Sequence, residues 1–163
     1  MAVAEQIPEN VALTAITGDA GSLDDWLTTF QLAAVVIDPY TSESSWLLDT
    51  AGDLLVQFRG ADCRVAWIVT ADADDARTFL GPWADEVLTF CDPDRAFVKG
   101  AGLNRLPAFV HVRQDRVVVS AAEGWDPDEW QAALTTLGEM MSWSKVEVNP
   151  SAGPAPFEGS PAT

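Results

Sequence analysis

Cysteine and histidine are scarce in this sequence of 163 residues, which has two of the former and one of the latter. Two cysteines, Cys63 and Cys91, are too few for a disulfide framework. The single histidine, His111, has no second histidine or cysteine cluster at ligand spacing that would support a zinc site. A glycine-rich phosphate loop is also missing. We therefore expect no metal and no cofactor.

Basic residues are few as well. Nine lysines and arginines stand against 25 acidic residues, so the net charge is −16 and the isoelectric point about 4.1. Such a surface repels nucleic-acid phosphates and anionic lipid, which excludes nucleic acid and membrane as expected partners. It favours a basic protein or peptide. The alternative is that the acidic surplus serves solubility alone.

Long apolar runs are absent. No stretch approaches the length that spans a bilayer, and residues 1–10 lack the basic and then apolar pattern of a secretory signal. The cytoplasm is the compartment we expect. The length and a hydrophobic fraction of 48% suit one globular domain with a core of its own.

Short apolar segments alternate with amphipathic ones over residues 22–148. The predicted strands are 32–37, 65–69, 86–90, 108–112 and 116–120. Amphipathic helices separate the first three strands, and a last helix begins at Asp126 and Pro127, which supply a cap and a first turn. Right-handed crossovers make the first three strands parallel. The prediction is an α/β fold in which a central mixed sheet of about five strands is flanked by helices.

Composition changes at both ends of this domain. Residues 1–21 are mixed in character and are predicted to be a loose segment. Residues 149–163 are rich in proline, glycine and serine and bury too little apolar surface to order themselves, so they are predicted to be a disordered tail. Phe157 is the one candidate anchor within that tail.

Several local features resemble the thioredoxin superfamily. A polar loop leads from the first core strand into a helix at residues 39–46, and a proline precedes an apolar strand at residues 106–110. A Gly-Trp-Asp-Pro turn at residues 124–127 starts the last helix. Residues 87–95 are similar to the extra strand and Asp-Pro-Asp turn of the TlpA and peroxiredoxin branch. The resemblance covers residues 33–138 and implies a thioredoxin-like fold.

The resemblance also implies a groove. In that superfamily the proline before the strand is cis, and its neighbour offers backbone groups to an extended peptide, which gives these roles to Pro107 and Leu106. The residues expected to line the groove are Tyr40, Thr41, Ser42, Glu43, Ser44, Trp46, Leu106 and Pro107. Five aspartates are expected on the same edge, where they would suit a basic segment or serve as helix caps: Asp38, Asp72, Asp74, Asp92 and Asp94.

The cysteine pair of the superfamily is missing. Redox activity needs a cysteine at the start of the first core helix, where the helix N-terminus stabilises a thiolate. Ser44 and Leu47 align with the two cysteine positions. Leucine cannot resolve a mixed disulfide, and a serine hydroxyl is hardly ionised without a base. No catalytic residue is therefore assigned.

Cys63 and Cys91 are not expected to replace that pair. They are predicted at opposite ends of two parallel strands, about 17 Å apart, whereas a disulfide needs Cα atoms within about 7 Å. Cys91 falls on the groove edge beside Asp92 and Asp94, whose charges are expected to raise the thiol pKa. It is the one candidate reactive thiol. His111 falls mid-strand and is interpreted as a structural residue.

Two functions follow from these residues. The first is a redox-inactive thioredoxin-like protein that acts as a protein-binding or assembly and chaperone module. The HyaE/HoxO-type hydrogenase assembly proteins offer an analogy, since residues 22–27 and the apolar strand after them look similar to their beginning, although the strand at 87–90 fits that group poorly. The alternative is a thiol-dependent oxidoreductase or peroxidase of the redoxin family that uses Cys91 or an unrecognised site.

Overall fold

Seven strands form one mixed sheet in the computed structural model, which describes residues 3–149 and 153–163. The strands of the chain are β1 (Ala12–Ala15), β2 (Ala20–Ser22), β3 (Gln31–Ile37), β4 (Cys63–Val69), β5 (Leu88–Cys91), β6 (Arg105–Leu106), β7 (Ala108–Val112), β8 (Val118–Glu123) and β9 (Ser160–Pro161). The helices are α1 (Leu23–Trp26), α2 (Ser42–Val56), α3 (Ala73–Leu80), α4 (Trp83–Glu86), α5 (Ala96–Ala101) and α6 (Pro127–Met140). Strands β6 and β9 form a separate pair.

The sheet has the order β2-β1-β5-β4-β3-β7-β8. Strands β3, β4 and β5 are parallel, as the sequence predicts, and β7 and β8 add an antiparallel hairpin. The two strands beyond the predicted five are β1 and β2, which continue the sheet past β5. The sequence predicts a loose segment over residues 1–21, whereas the structure has β1 and the start of β2 there, joined by a turn. In β1 the burial alternates over just four residues, which is too short a pattern to identify a strand.

Strand β3 explains why the core divides into two layers. Its side chains alternate between the faces of the sheet, so Val35 joins the layer under α2 and α6, and Val36 joins the layer under α1 and α5. Six of its seven residues are buried, which is the signature of a central strand covered on both sides. The sequence predicts this strand from its uninterrupted apolar run for the same reason.

Aspartate side chains cap the starts of α3 and α6. Asp126 accepts hydrogen bonds from the backbone N–H groups of Asp128 and Glu129 at the start of α6, and Asp72 accepts one at the start of α3. Helix α4 is absent from the sequence prediction, which extends a strand back to residue 86. The turn after Gly81 and Pro82 instead continues as a short helix, and β5 begins at Leu88.

Residues 153–163, which we call the strap segment, lie packed on the domain. Strand β9 pairs with β6, Phe157 pairs with Trp125, and Ala162 is completely buried. The sequence predicts disorder here because the segment has little apolar surface of its own. Its order comes from backbone hydrogen bonds to another part of the chain, which composition does not reveal. No helix in residues 3–149 or 153–163 is long and apolar enough to cross a membrane.

Gly52 provides a test of the packing between α2 and α4. A Cβ added there would lie 2.6 Å from ring atoms of Trp83, and the indole is held by a 3.0 Å hydrogen bond to Asp49. We expect Gly52→Ala to lower the free energy of unfolding by about 1–3 kcal/mol, measured by urea denaturation. In Gly138→Ala, whose Cβ would have no contact under 3.8 Å, helix propensity predicts a gain of up to about 1 kcal/mol. Equal effects of the two substitutions would contradict this account.

Candidate functional site

The start of α2 contains hydroxyl groups where the thioredoxin superfamily carries sulfur. Thr41 is the N-cap residue, and its Oγ1 lies 2.8 Å from Oγ of Ser44. Ser44 is completely buried and so is Leu47, the residue aligned with the second cysteine. Ser44 is therefore not accessible from a groove as expected, because it is buried and its hydroxyl is hydrogen-bonded to that of Thr41.

The other residues expected at the groove separate into two groups. Tyr40 is 65% exposed, and its hydroxyl donates a 2.5 Å hydrogen bond to Asp75 of α3. This carboxylate raises the pKa of Tyr40 to about 12. Ser42 is exposed, and its carbonyl accepts a hydrogen bond from Ser45 within the first turn of α2. Glu43 and Trp46, by contrast, contact the strap segment.

Leu106 and Pro107 form the opposite side of this site. The peptide bond between them is cis. Both side chains are buried, so the part of Leu106 that is available to another segment is its backbone. That backbone pairs with Ser160 of β9 in antiparallel register, and Arg105 pairs with Pro161. An extended segment is thus held against the residue before the cis proline, and in this structure it is a segment of the same chain.

Backbone hydrogen bonds continue on both sides of that pair. The N–H of Ala162 donates to the carbonyl of Asn104 at 2.9 Å. Further back, the N–H of Trp125 donates to the carbonyl of Phe157 at 2.8 Å, and the N–H of Phe157 donates to the carbonyl of Trp125 at 3.0 Å. The strap segment therefore lies between the start of β7 and the turn before α6, which are two of the features that carry the resemblance in the sequence.

Several of the five aspartates expected on the groove edge are already engaged by other groups of the protein. Asp38 is buried in an ion pair with Arg95, whose Nη2 lies 2.9 Å from Oδ2 of the aspartate. Asp92 is buried and accepts hydrogen bonds from the backbone N–H groups of Phe97 and Val98, while burial raises its pKa. Asp72 is the cap of α3. Of the five aspartates, Asp74 and Asp94 remain exposed without such a role.

A cavity of about 670 Å³ opens beside the strap segment. Its charged lining residues are Glu123, Asp126, Glu129, Glu158 and Arg105. Four carboxylates thus face one guanidinium. Sequence reasoning missed this cavity because Glu158 belongs to a segment that was predicted to be disordered, while Asp126 and Glu129 were interpreted as parts of a helix start.

Cys91 and Cys63 are free thiols at opposite ends of neighbouring parallel strands, as predicted. Cys91 lies opposite Val69 at the end of β4, whereas Cys63 lies at its beginning. Burial is the main cause that raises the pKa of Cys91, and the charge of Asp72 adds to it, while Arg77 lowers it. The pKa of Cys91 is raised, as predicted, but Asp92 and Asp94 are not the cause.

His111 is a buried residue of β7. Its Nε2 lies 2.7 Å from Oε1 of Gln31, and among the described residues Nδ1 has no hydrogen-bond partner. It lies opposite Ala33 near the start of β3, whereas Ser44 follows the other end of that strand. A hydroxyl–imidazole pair between His111 and Ser44 is therefore not formed. Burial lowers the pKa of the imidazole to about 4, so it is neutral at pH 7.

The raised pKa of Cys91 predicts slow alkylation. At pH 7 we expect iodoacetamide to modify it several-fold more slowly than free cysteine, because less thiolate is present. The alkylation rate should continue to rise with pH above the range in which the rate of an ordinary thiol has reached its plateau. Intact-mass spectrometry of Cys63→Ser follows Cys91 alone, and Cys91→Ser serves as the control. Modification at pH 7 faster than that of free cysteine would contradict the prediction.

The lowered pKa of His111 predicts a loss of stability in acid. Below pH 6.5 the unfolded chain binds a proton that the folded protein excludes until about pH 4. From pH 7.5 to pH 5 this group should lower the free energy of unfolding by roughly 2 kcal/mol. Urea denaturation of wild type and of His111→Gln at both pH values separates the contribution of His111 to the free energy of unfolding from that of the carboxyl groups. Parallel pH profiles for the two proteins would show that the imidazole is not excluded from protonation.

Comparison with known proteins places this architecture. Neither a family model nor a curated protein matches the sequence. Among solved structures, a Chlorobium tepidum protein assigned as the thiol:disulfide interchange protein DsbE shares 16% identity with a TM-score of 0.69, over 86% of this chain and 99% of that one.

Two further structures match over similar lengths. The thioredoxin domain of a thiol-disulfide oxidoreductase from Bacteroides vulgatus shares 12% identity over 86% of this chain and 99% of that one, with a TM-score of 0.64. The bacterioferritin comigratory protein of Xanthomonas campestris is described with alkyl peroxide reduction activity. It shares 14% sequence identity over 86% of this chain and 98% of that one, also with a TM-score of 0.64. At such identities the likeness establishes the fold, and this chain has the thioredoxin-like fold.

Proposed function

We propose that this protein is a redox-inactive member of the thioredoxin-like proteins that binds an extended segment of another protein, as an assembly or chaperone module. One observation carries the proposal. Residues 41–47, which open α2, contain no sulfur, while the backbone of Leu106 beside them is paired with an extended segment. The site thus keeps the geometry for holding a chain and has lost the group that reacts with it.

Recognition by backbone pairing suits a protein partner. An added strand gains affinity from main-chain hydrogen bonds and specificity from the side chains on either side of it. Here Trp46 supplies an aromatic surface that is 58% exposed, and Glu43 supplies a carboxylate. A net charge of −16 favours a basic partner.

The second candidate is a thiol oxidoreductase or peroxidase that uses Cys91. It is favoured by the activities of the similar structures, which are thiol-disulfide oxidoreductases and a peroxide-reducing protein. It is disfavoured by the position of Cys91 at the end of β5 rather than at the start of a helix, and by its raised pKa.

A peptide-display selection against the full-length protein tests the first candidate. We expect selected peptides to bind at the α2–β6 face, since that is where an extended segment finds free backbone partners once the strap segment yields. In NMR titrations they should shift the amide resonances of Glu43, Trp46 and Leu106. Met140, a second exposed hydrophobic residue, lies on α6 and should not respond. Peptides that bind elsewhere, or a selection that yields none against both wild type and Gly159→Val, whose added side chain would clash with the carbonyl of Leu106, would refute peptide binding at this site.

Turnover assays distinguish the two candidates. We expect neither reduction of insulin disulfides nor consumption of peroxide above the uncatalysed rate, because no thiol lies at the start of α2. Cys91→Ser is the matched control. Turnover in the wild type that disappears in this variant would establish the thiol enzyme instead.

A further inference from the structure

The side chains of the strap segment indicate which types of side chain this groove accepts. Phe157 packs edge-on against Trp46, with ring centroids 6.0 Å apart and an angle of 86° between the rings. Its backbone is held by the two hydrogen bonds to Trp125. An aromatic side chain at this position is thus fixed in place by its own main chain and faces an indole on α2.

Glycine is required two residues later. Gly159 has φ of +86°, and a Cβ built on it would lie 2.5 Å from the carbonyl oxygen of Leu106. The obstacle is backbone and not a flexible side chain, so it cannot move aside. A segment that follows the same path must therefore carry glycine at this point.

The next three positions accept a hydroxyl, a proline and a small residue. Oγ of Ser160 donates a 3.0 Å hydrogen bond to Oε2 of Glu43. Pro161 follows opposite Arg105. Ala162 is fully buried in the layer that contains Leu106, and its carbonyl accepts a 2.5 Å hydrogen bond from Arg95. Position 160 thus places a hydroxyl against the carboxylate of Glu43, and position 162 holds a small, buried side chain.

One position of the strap segment is poorly matched to its surroundings. Glu158 is exposed and lines the cavity that Glu123, Asp126 and Glu129 also line. Arg105 lines it as well, and its Nη1 lies 3.5 Å from the carbonyl of Gly159. Glu123 accepts a hydrogen bond from the N–H of Asn104 and Asp126 caps α6, so both charges are partly compensated. The lining still carries four carboxylates and one guanidinium, and a lysine or arginine in place of Glu158 would be attracted to this net negative charge.

We infer that the natural partner presents an extended segment of the pattern aromatic–basic–glycine–serine or threonine–proline–small residue, and that this segment displaces the strap segment. The inference rests on the proposed function, since it names the ligand of the same groove. The strap segment competes as part of the same chain, at a high effective concentration. The basic residue gives the partner an advantage that the strap segment lacks.

Fluorescence anisotropy with labelled, end-capped peptides of residues 153–163 tests the inference. The peptides carry the native sequence, Glu158→Gln or Glu158→Lys. The full-length variant Gly159→Val is designed to expel its own strap segment and should bind the native peptide at least about tenfold more tightly than wild type does. Gly18→Val is the matched control, because Gly18 also has positive φ but its Cβ would meet nothing within 4 Å.

Two series of affinities then test the assigned positions. In Gly159→Val, affinity should rise from the native peptide to Glu158→Gln and to Glu158→Lys, by about fivefold in all at low salt, and the gain should shrink at high salt. A Ser160→Ala peptide should bind about fivefold more weakly than the native one. That loss should vanish when the protein carries Glu43→Ala. Should Gly159→Val fail to fold by circular dichroism, Ser160→Ala in the full chain replaces it as a milder release of the strap segment.

Three results would overturn the inference. One is equal affinity of wild type and the released variants for the native peptide. Another is a salt-independent loss of affinity in Glu158→Lys. The third is a wild-type dimer by light scattering that Gly159→Val converts to monomer, since the groove would then hold the strap segment of a second copy. If display selection still yields peptides that shift Leu106 but lack this pattern, the proposed function stands and the pattern alone is wrong.

Discussion

Backbone hydrogen bonding between residues 104–106 and an extended segment is the interaction on which the site depends. Leu106 can contact another segment only through its main chain, because its side chain is buried. The next residue is a proline, which has no N–H group. The turn at Gly124 and Trp125 supplies a second line of donors and acceptors about one strand away. The strap segment lies between the two and is held along its length by backbone hydrogen bonds.

The opening of α2 complements that backbone frame with side chains rather than with a reactive group. The hydroxyl groups of Ser44 and Thr41 share a hydrogen bond, and that of Thr41 also donates to the carbonyl of Asp38. Glu43 and Trp46 are then the side chains of this helix start that contact the strap segment. A carboxylate in the first turn also suits the positive end of the helix dipole. The same dipole that would stabilise a thiolate in a redox enzyme here supports a hydrogen-bond acceptor. The contacts to the strap segment thus come from Glu43 and Trp46, and not from Ser44 and Leu47, the positions that align with the cysteine pair.

The sequence predicts the centre of this molecule better than its margins. Strands β3 and β4 are evident because both faces are buried and the apolar runs are unbroken, and Asp72 and Asp126 are evident as caps. The resemblance supplies the cis geometry of Pro107, which periodicity alone does not encode. The order of the strap segment stays hidden, because main-chain pairing depends on the partner edge and not on the composition of the segment. The burial of Ser44 depends on how the first turn of α2 packs in three dimensions, which an alignment does not give.

Arg95 adopts a left-handed backbone conformation that brings its guanidinium between two acceptors, the carboxylate of Asp38 and the carbonyl of Ala162. The first acceptor directly follows β3 and stays in place when the second leaves. Departure of residue 162 would therefore leave a cation that is already aimed and already neutralised on one side. Under the displacement proposed above, a partner main chain that places a carbonyl there would meet a donor that needs no rearrangement, whichever side chain it carries. Affinity from the main chain and selectivity from the side chains would then arise from different atoms of one binding site.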